Sequence, residues 1–134
     1  MEPVIVHEGT GPVVLGLPHT GTHVPDDILA RLAVVPMVLE ARGLDVTPMM
    51  IEKFTQVGDP ETVDALKIIY EDEIGHVADG RRWFEHVADE HGLDHETTWH
   101  SLVRTHFHGQ VKRPFNKPAR SEAGMRPEYY EPLA

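Results

Sequence analysis

The sequence has no cysteine, which excludes a disulfide scaffold and any zinc site built on thiolates. It has no apolar run of the length that spans a bilayer, about 20 residues. Glu2 and His7 interrupt the start, where a signal peptide needs an unbroken apolar core. A cytoplasmic protein with no membrane partner is therefore expected. Positive charge is scarce: 12 Lys and Arg stand against 22 Asp and Glu, for a net charge of −10. That balance gives no reason to expect a nucleic-acid partner. The basic residues that do gather, Lys112, Arg113, Lys117, Arg120 and Arg126, are interrupted by prolines and read as a solvated segment. Internal repeats and low-complexity runs are absent too.

What remains is side-chain chemistry of one kind. Ten histidines accompany the 22 carboxylates, the donor types of N/O metal ligation. The length, 134 residues, suits one domain with a modest core.

The chain is organised around residues 59–87. Asp59 is a good N-cap and Pro60 fits the first helical position. Apolar residues then recur at Val63, Leu66, Ile69, Tyr70, Ile74, Val77, Trp83, Phe84 and Val87, the spacing of one buried helix face. Two polar residues interrupt that face, Glu73 seven residues after Leu66 and His76 seven after Ile69. They form Glu-x-x-His, a carboxylate and an imidazole one turn apart and pointing inward. Burying a polar group without a partner costs roughly 2–7 kcal/mol, so something inside must compensate, a metal being the simplest candidate. The alternative is that the two lie at the edge of the stripe and pair with each other or with Arg81.

Residues 3–7 and 12–17 are rich in β-branched residues around a Gly-rich turn, which predicts a short β-hairpin. An open Pro/Gly loop with His19 and His23 follows. Asp26 or Asp27 starts a helix with Ile28, Leu29, Leu32, Val35 and Leu39 on its apolar side and Gly43 as its stop. Pro36 should kink it or begin a fresh helix. Glu40 lies on or beside the inward face, or else pairs outside with Arg42 or Lys53. A short helix capped by Thr47 is expected from Pro48 to Val57, ended by Gly58. The long helix then runs to about Glu90, where Gly92 ends it, and Gly80 inside it suggests a close crossing or a break. A last helix over His95–His108 places Trp99, Leu102, Val103 and Phe107 inward, with Gly109 as its cap and His106 and His108 solvated or packed singly. From Gln110 the chain reads as an extended tail laid on the helices through Phe115, Tyr129 and Tyr130.

Two resemblances add to this. The front, HEGTGPVVLGLPHTGTHVPDDILARL with its Pro-His-Thr-Gly at 18–21, resembles the start of N-formylglutamate amidohydrolases, which are zinc-dependent. The likeness implies a metal role for His19. A catalytic zinc needs about three protein ligands, and only His7, His23 and Asp26 lie nearby, so His19 is not expected to be catalytic. From about Leu32 onward, VVPMVLEARGLDVTP, IYEDEIGHVADGRRWF and KRPFNKPARSEAG are similar to a bacterial family of ferritin-like proteins without an assigned activity. That likeness implies half of a four-helix bundle, with Glu40 as a lone Glu ligand and Glu73 and His76 as its Glu-x-x-His. The family's first half is missing, and the chain looks like a join of two pieces near Ala30–Leu32.

The expected fold is therefore mainly α, a ferritin-like half-bundle with a short N-terminal β-hairpin. It divides into an amidohydrolase-like segment at 1–31, a helical domain at 32–109 and a tail at 110–134. The expected function is metal binding at Glu40, Glu73 and His76 by iron, with zinc or manganese also fitting the donors. Di-iron carboxylate bundles take a Glu from each of two helices and Glu-x-x-His from each of two more. One chain supplies half of that set, so a homodimer is expected to complete a non-haem di-iron oxidoreductase site. The alternatives are a zinc hydrolase centred on His19 and a non-catalytic helical module.

Overall fold

A computed structural model describes residues 26–134 of the chain. The β-hairpin expected over 3–17, and His7, His19 and His23, lie outside the described residues. Every regular element among the described residues is helical. Helix α1 (Asp26–Val34) runs through a π-helical turn (Val35–Glu40) into α2 (Ala41–Gln56). The three form one bent rod, which turns at Gly58 and packs against the long α3 (Pro60–Glu90). Helix α4 (His95–His106) then packs against α1 and α3.

The ends of α3 follow the sequence rules. Asp59 accepts hydrogen bonds from the Thr62 backbone N–H at 3.1 Å and the Thr62 hydroxyl at 2.7 Å. These bonds hold its carboxyl below the usual carboxylate range. Gly58 and Gly92 take φ of 76° and 65° just past the ends of α2 and α3, a left-handed step that costs glycine least.

Pro36 has a larger effect than a kink. It cannot donate into the helical ladder, and the chain absorbs the gap as a π turn, in which the Ala41 N–H donates to the Pro36 carbonyl five residues back. The extra residue in that turn rotates everything near it. Val35 and Leu39, expected inward, are exposed, and Ala33, Met37, Val38, Ala41 and Leu44 face the core instead. Gly80 is the close crossing: a Cβ built there falls 2.2 Å from both Cβ and Cγ of Pro36.

Pro48 does not start a helix, and Gly43 does not stop one. Both lie inside α2, and Thr47 is buried rather than capping. A proline at 48 leaves the Leu44 carbonyl without its ladder donor. The side-chain amide of Asn116, 72 residues away in the sequence, donates to that carbonyl at 3.0 Å. The tail thus mends the helix, which is why α2 continues where local signals end it. Helix α4 stops at His106, earlier than expected, because Phe107 turns to extended backbone. His106 and His108 are exposed, as expected.

The tail is not an extended strap. It folds into α5 (Lys117–Glu122), α6 (Pro127–Tyr130) and a final 3-10 turn (Glu131–Leu133). Ala119, Ala123, Met125, Tyr129 and Tyr130 join Met37, Leu44, Val77, Phe84, Trp99 and Val103 in one buried cluster. Trp99 lies edge-on to Tyr129 and donates from Nε1 to the Ala33 carbonyl at 3.0 Å. Arg120, read as part of a solvated basic run, is only 3% exposed and makes a two-pronged pair with the buried Asp45, Nε–Oδ1 2.9 Å and Nη2–Oδ2 2.7 Å. Its guanidinium lies over the rings of Phe115 and Tyr130. Alternation with proline hid this residue, because its partner is set by tertiary packing and not by spacing.

Candidate metal centre

Three donors come together where the bent rod passes the middle of α3. Glu40 closes the π turn, and Glu73 and His76 lie one helical turn apart on α3. One ligand atom from each lies within 4.8 Å of the other two. Among the described residues, no other trio of His, Asp or Glu comes this close. Metal–ligand bonds of about 2.1 Å place donors at most about 4.2 Å apart. Closing the trio on an ion therefore needs only small side-chain rotations.

The electrostatics are those of a site short of positive charge. Burial raises the Glu40 carboxyl above its usual value, the neighbouring Glu73 charge adds to this, and His76 opposes it. His76 Nδ1 lies 3.7 Å from Glu73 Oε1, too far for a hydrogen bond. The other Glu73 oxygen, Oε2, is buried with no hydrogen-bond partner. A buried carboxylate oxygen left unpaired is costly, and a cation among these donors satisfies it. Neither Arg81, Arg42 nor Lys53 neutralises the group. Arg81 donates to Glu85 and to the Ala123 carbonyl, and Arg42 reaches Asp45 and the Lys112 carbonyl. The donor set and its orphaned oxygen fit a divalent metal.

The site opens outward. Glu73 is half-buried, while His76 is exposed. Beside Glu40 and His76 lies a cleft of about 420 Å³ walled by Leu32, Val35, Pro36 and Trp83, with the charged Arg31 and Asp79 also on its lining. Trp83, expected in the buried stripe of α3, walls this cleft, and Ile69, expected in the same stripe, is exposed.

A second polar cluster on α3 went unread in the sequence. Glu85 accepts from Arg81 at 2.5 Å and from the Tyr129 hydroxyl at 2.7 Å, and His95 and Asp89 are joined at 2.6 Å. Burial, and then the Glu85 bond, push the Tyr129 phenol well above its usual range, so it remains a donor. Each member is paired, and the cluster pins α6 and the start of α4 to α3. Arg81 and Glu85 stand at a helical i,i+4 spacing, but Glu85 and Tyr129 are 44 residues apart, so only part of the cluster is local.

A family described as protein of unknown function (DUF455) matches residues 6–131. The chain belongs to the DUF455 family. The match takes in the front segment expected to be amidohydrolase-like and runs through the join expected at Ala30–Leu32, so a single family covers both pieces. An "Uncharacterized protein" of Haemophilus influenzae is 43% identical to this DUF455 chain over 99 residues, which are 74% of this chain and 34% of the relative. The chain thus spans about a third of that relative's length. No solved structure matches. No helix among the described residues is long and apolar enough to cross a membrane.

Proposed function

We propose that this DUF455 chain is a ferritin-like metal-binding protein that holds a divalent transition metal through Glu40, Glu73 and His76. The observation that carries the reading is the convergence of these donors from two helices around a carboxylate oxygen with no other partner. Two carboxylates and one imidazole suit iron first and zinc or manganese next. Iron, when bound, supplies redox chemistry toward O₂; the chain's own residues hold it and keep one side open. Glu73 and His76 are carried by α3 and Glu40 by the π turn, so small side-chain rotations bring the three donors onto one ion. The set is half of a di-iron complement, and a homodimer completes it.

The experiment is metal analysis of the purified full chain with anaerobic Fe(II) and with Co(II), read by bound metal and by Co(II) absorption. One site per chain is expected, lost in Glu73→Gln and in His76→Ala. Retention of metal by both variants sinks the reading. The amidohydrolase alternative has its own test, N-formylglutamate hydrolysis abolished by His19→Ala.

A further inference from the structure

We propose that the cavity between the π turn, α4 and the tail is a binding site for a small organic acid. Tyr130 and Arg120 would take its carboxylate, and the walls around Trp99 its apolar body. The inference is independent of the metal reading, since the cavity shares no lining residue with the cleft beside the metal donors.

The cavity has a volume of about 300 Å³, at the small end of ligand pockets, roughly 300–1,000 Å³. Met37, Val38, Trp99, Phe107 and Val111 give it apolar walls, and Arg42, Lys112, Arg120 and Tyr130 bring polar groups to it. An apolar cavity with a few converging polar groups is the usual form of a small-molecule site.

Two buried side chains on its lining have donors left over. Tyr130 is 0% exposed, and its hydroxyl has no hydrogen-bond partner. Burial raises that phenol above its usual range, with Arg120 opposing, so the hydroxyl keeps its proton. Arg120 gives Nε and Nη2 to Asp45, while its Nη1 meets only the Met125 sulfur at 3.9 Å. A thioether is a weak acceptor. Buried donors without acceptors are costly, and an oxygen acceptor in the cavity serves the two residues that share its wall.

Charge decides what kind of acceptor. No carboxylate lines the cavity. Arg42 and Arg120 share one acid, Asp45. Lys112 is exposed and, among the described residues, forms no ion pair. In a chain of net charge −10 this is a local surplus of positive charge, which draws an anion to the opening. A water bonds to polar groups but does not answer the surplus. A carboxylate does both, through the stronger charge-assisted bonds. The apolar walls select an acid with a hydrocarbon body over a bare inorganic anion. Lys112 and Arg120, which belong to the basic run of the tail, thus have a use that their spacing does not show.

Titration of the full chain with octanoate, and with octanol as the neutral control, tests this by calorimetry and by fluorescence. A Trp83→Phe background leaves Trp99, on the cavity wall, as the single tryptophan reporter. The expected result is one octanoate per chain, a saturable change in Trp99 emission, and binding at least tenfold tighter than octanol. Tyr130→Phe keeps the ring and removes a hydroxyl that has no partner. It should keep the urea midpoint of the parent and bind octanoate about tenfold more weakly, the effect of one lost bond to a charged group. Lys112→Glu reverses an exposed charge and should weaken octanoate while leaving octanol unchanged. Glu73→Gln should bind octanoate as the parent does, which keeps this outcome separate from that of the metal test. Octanol bound as tightly as octanoate overturns the proposal, as do Tyr130→Phe and Lys112→Glu variants that bind octanoate like the parent. A full chain that binds no octanoate shows that water or residues outside 26–134 fill the cavity, and overturns it too.

Discussion

Asp45 and Glu40 lie five residues apart on the same bent rod, yet the chain serves their carboxylates differently. Asp45 is fully buried and fully paired: both oxygens take Arg120, and Oδ1 also takes the Asn116 backbone N–H at 2.8 Å. Among the described residues, Glu40 and its neighbour Glu73 form no ion pair with Lys or Arg, and one oxygen of Glu73 has no hydrogen-bond partner. A sequence that places one carboxylate in a complete cage and leaves the next pair open shows that the deficit is local. Nothing in the fold prevents the chain from supplying an arginine. Among the described residues, the covered side of the helix pair pairs its buried carboxylate in full, and the open side leaves one oxygen of Glu73 unpaired.

That contrast breaks first at Arg120. Arg120→Ala leaves Asp45 charged, buried and without its main partner, and should cost about 3–5 kcal/mol, read by urea unfolding. Replacing both, Asp45→Leu with Arg120→Met, should recover part of the loss, since no charge is then left buried. A cost for Arg120→Ala under about 1 kcal/mol would mean the cage is not what holds the tail. Asn116→Ala should cost about 1–3 kcal/mol, because it unpairs the Leu44 carbonyl and removes the acceptor for the Ala119 N–H at the start of α5. Hydrogen exchange should show faster opening in α2, not only in the tail.

Gly80→Ala tests the crossing that holds the two donor-bearing helices at their spacing. The added methyl meets the Pro36 ring, which cannot rotate away. Overpacking of about 1–3 kcal/mol should exceed the ~1 kcal/mol gained in helix propensity, and metal binding should weaken as the helices part. A more stable variant with intact metal affinity would show that the contact relaxes freely. Smallest is Glu73→Gln without metal. Removing an uncompensated charge should leave the melting temperature unchanged or slightly raised, a shift of less than about 1 kcal/mol, while the rise in melting temperature on adding Fe(II) disappears. A large loss of stability without metal would make Glu73 structural.

The helical content and α3, with its cap and its Glu-x-x-His, were legible because the signals are local and repeat along 31 residues. The meeting of Glu40 with Glu73 and His76 was legible only in part. The stripe on the first rod put Glu40 near the inward side, but a π turn at Pro36 sets its final direction, and spacing rules for an ordinary helix misplace Val35 and Leu39. Pro48 misled for a related reason. The sequence shows a break, and the residue that repairs it lies in another part of the chain. The tail was the least legible. Its partners, Asp45, Leu44, Tyr70 and Glu85, lie 44 to 75 residues away, and proline-rich composition looks alike in a strap and in a folded lid.

The repair of α2 by Asn116 also bears on how fast and in what order the chain can fold. Helical proteins usually fold quickly because their contacts are local. Here the bonds that finish α2 join residues 72 and 75 positions apart, and Trp99 ties to Ala33 across 66. Loops of that size must close before α2 is complete around Pro48. The metal donors on α3 can thus be helical early, while the rod that presents Glu40 settles only after the C-terminal segment has docked.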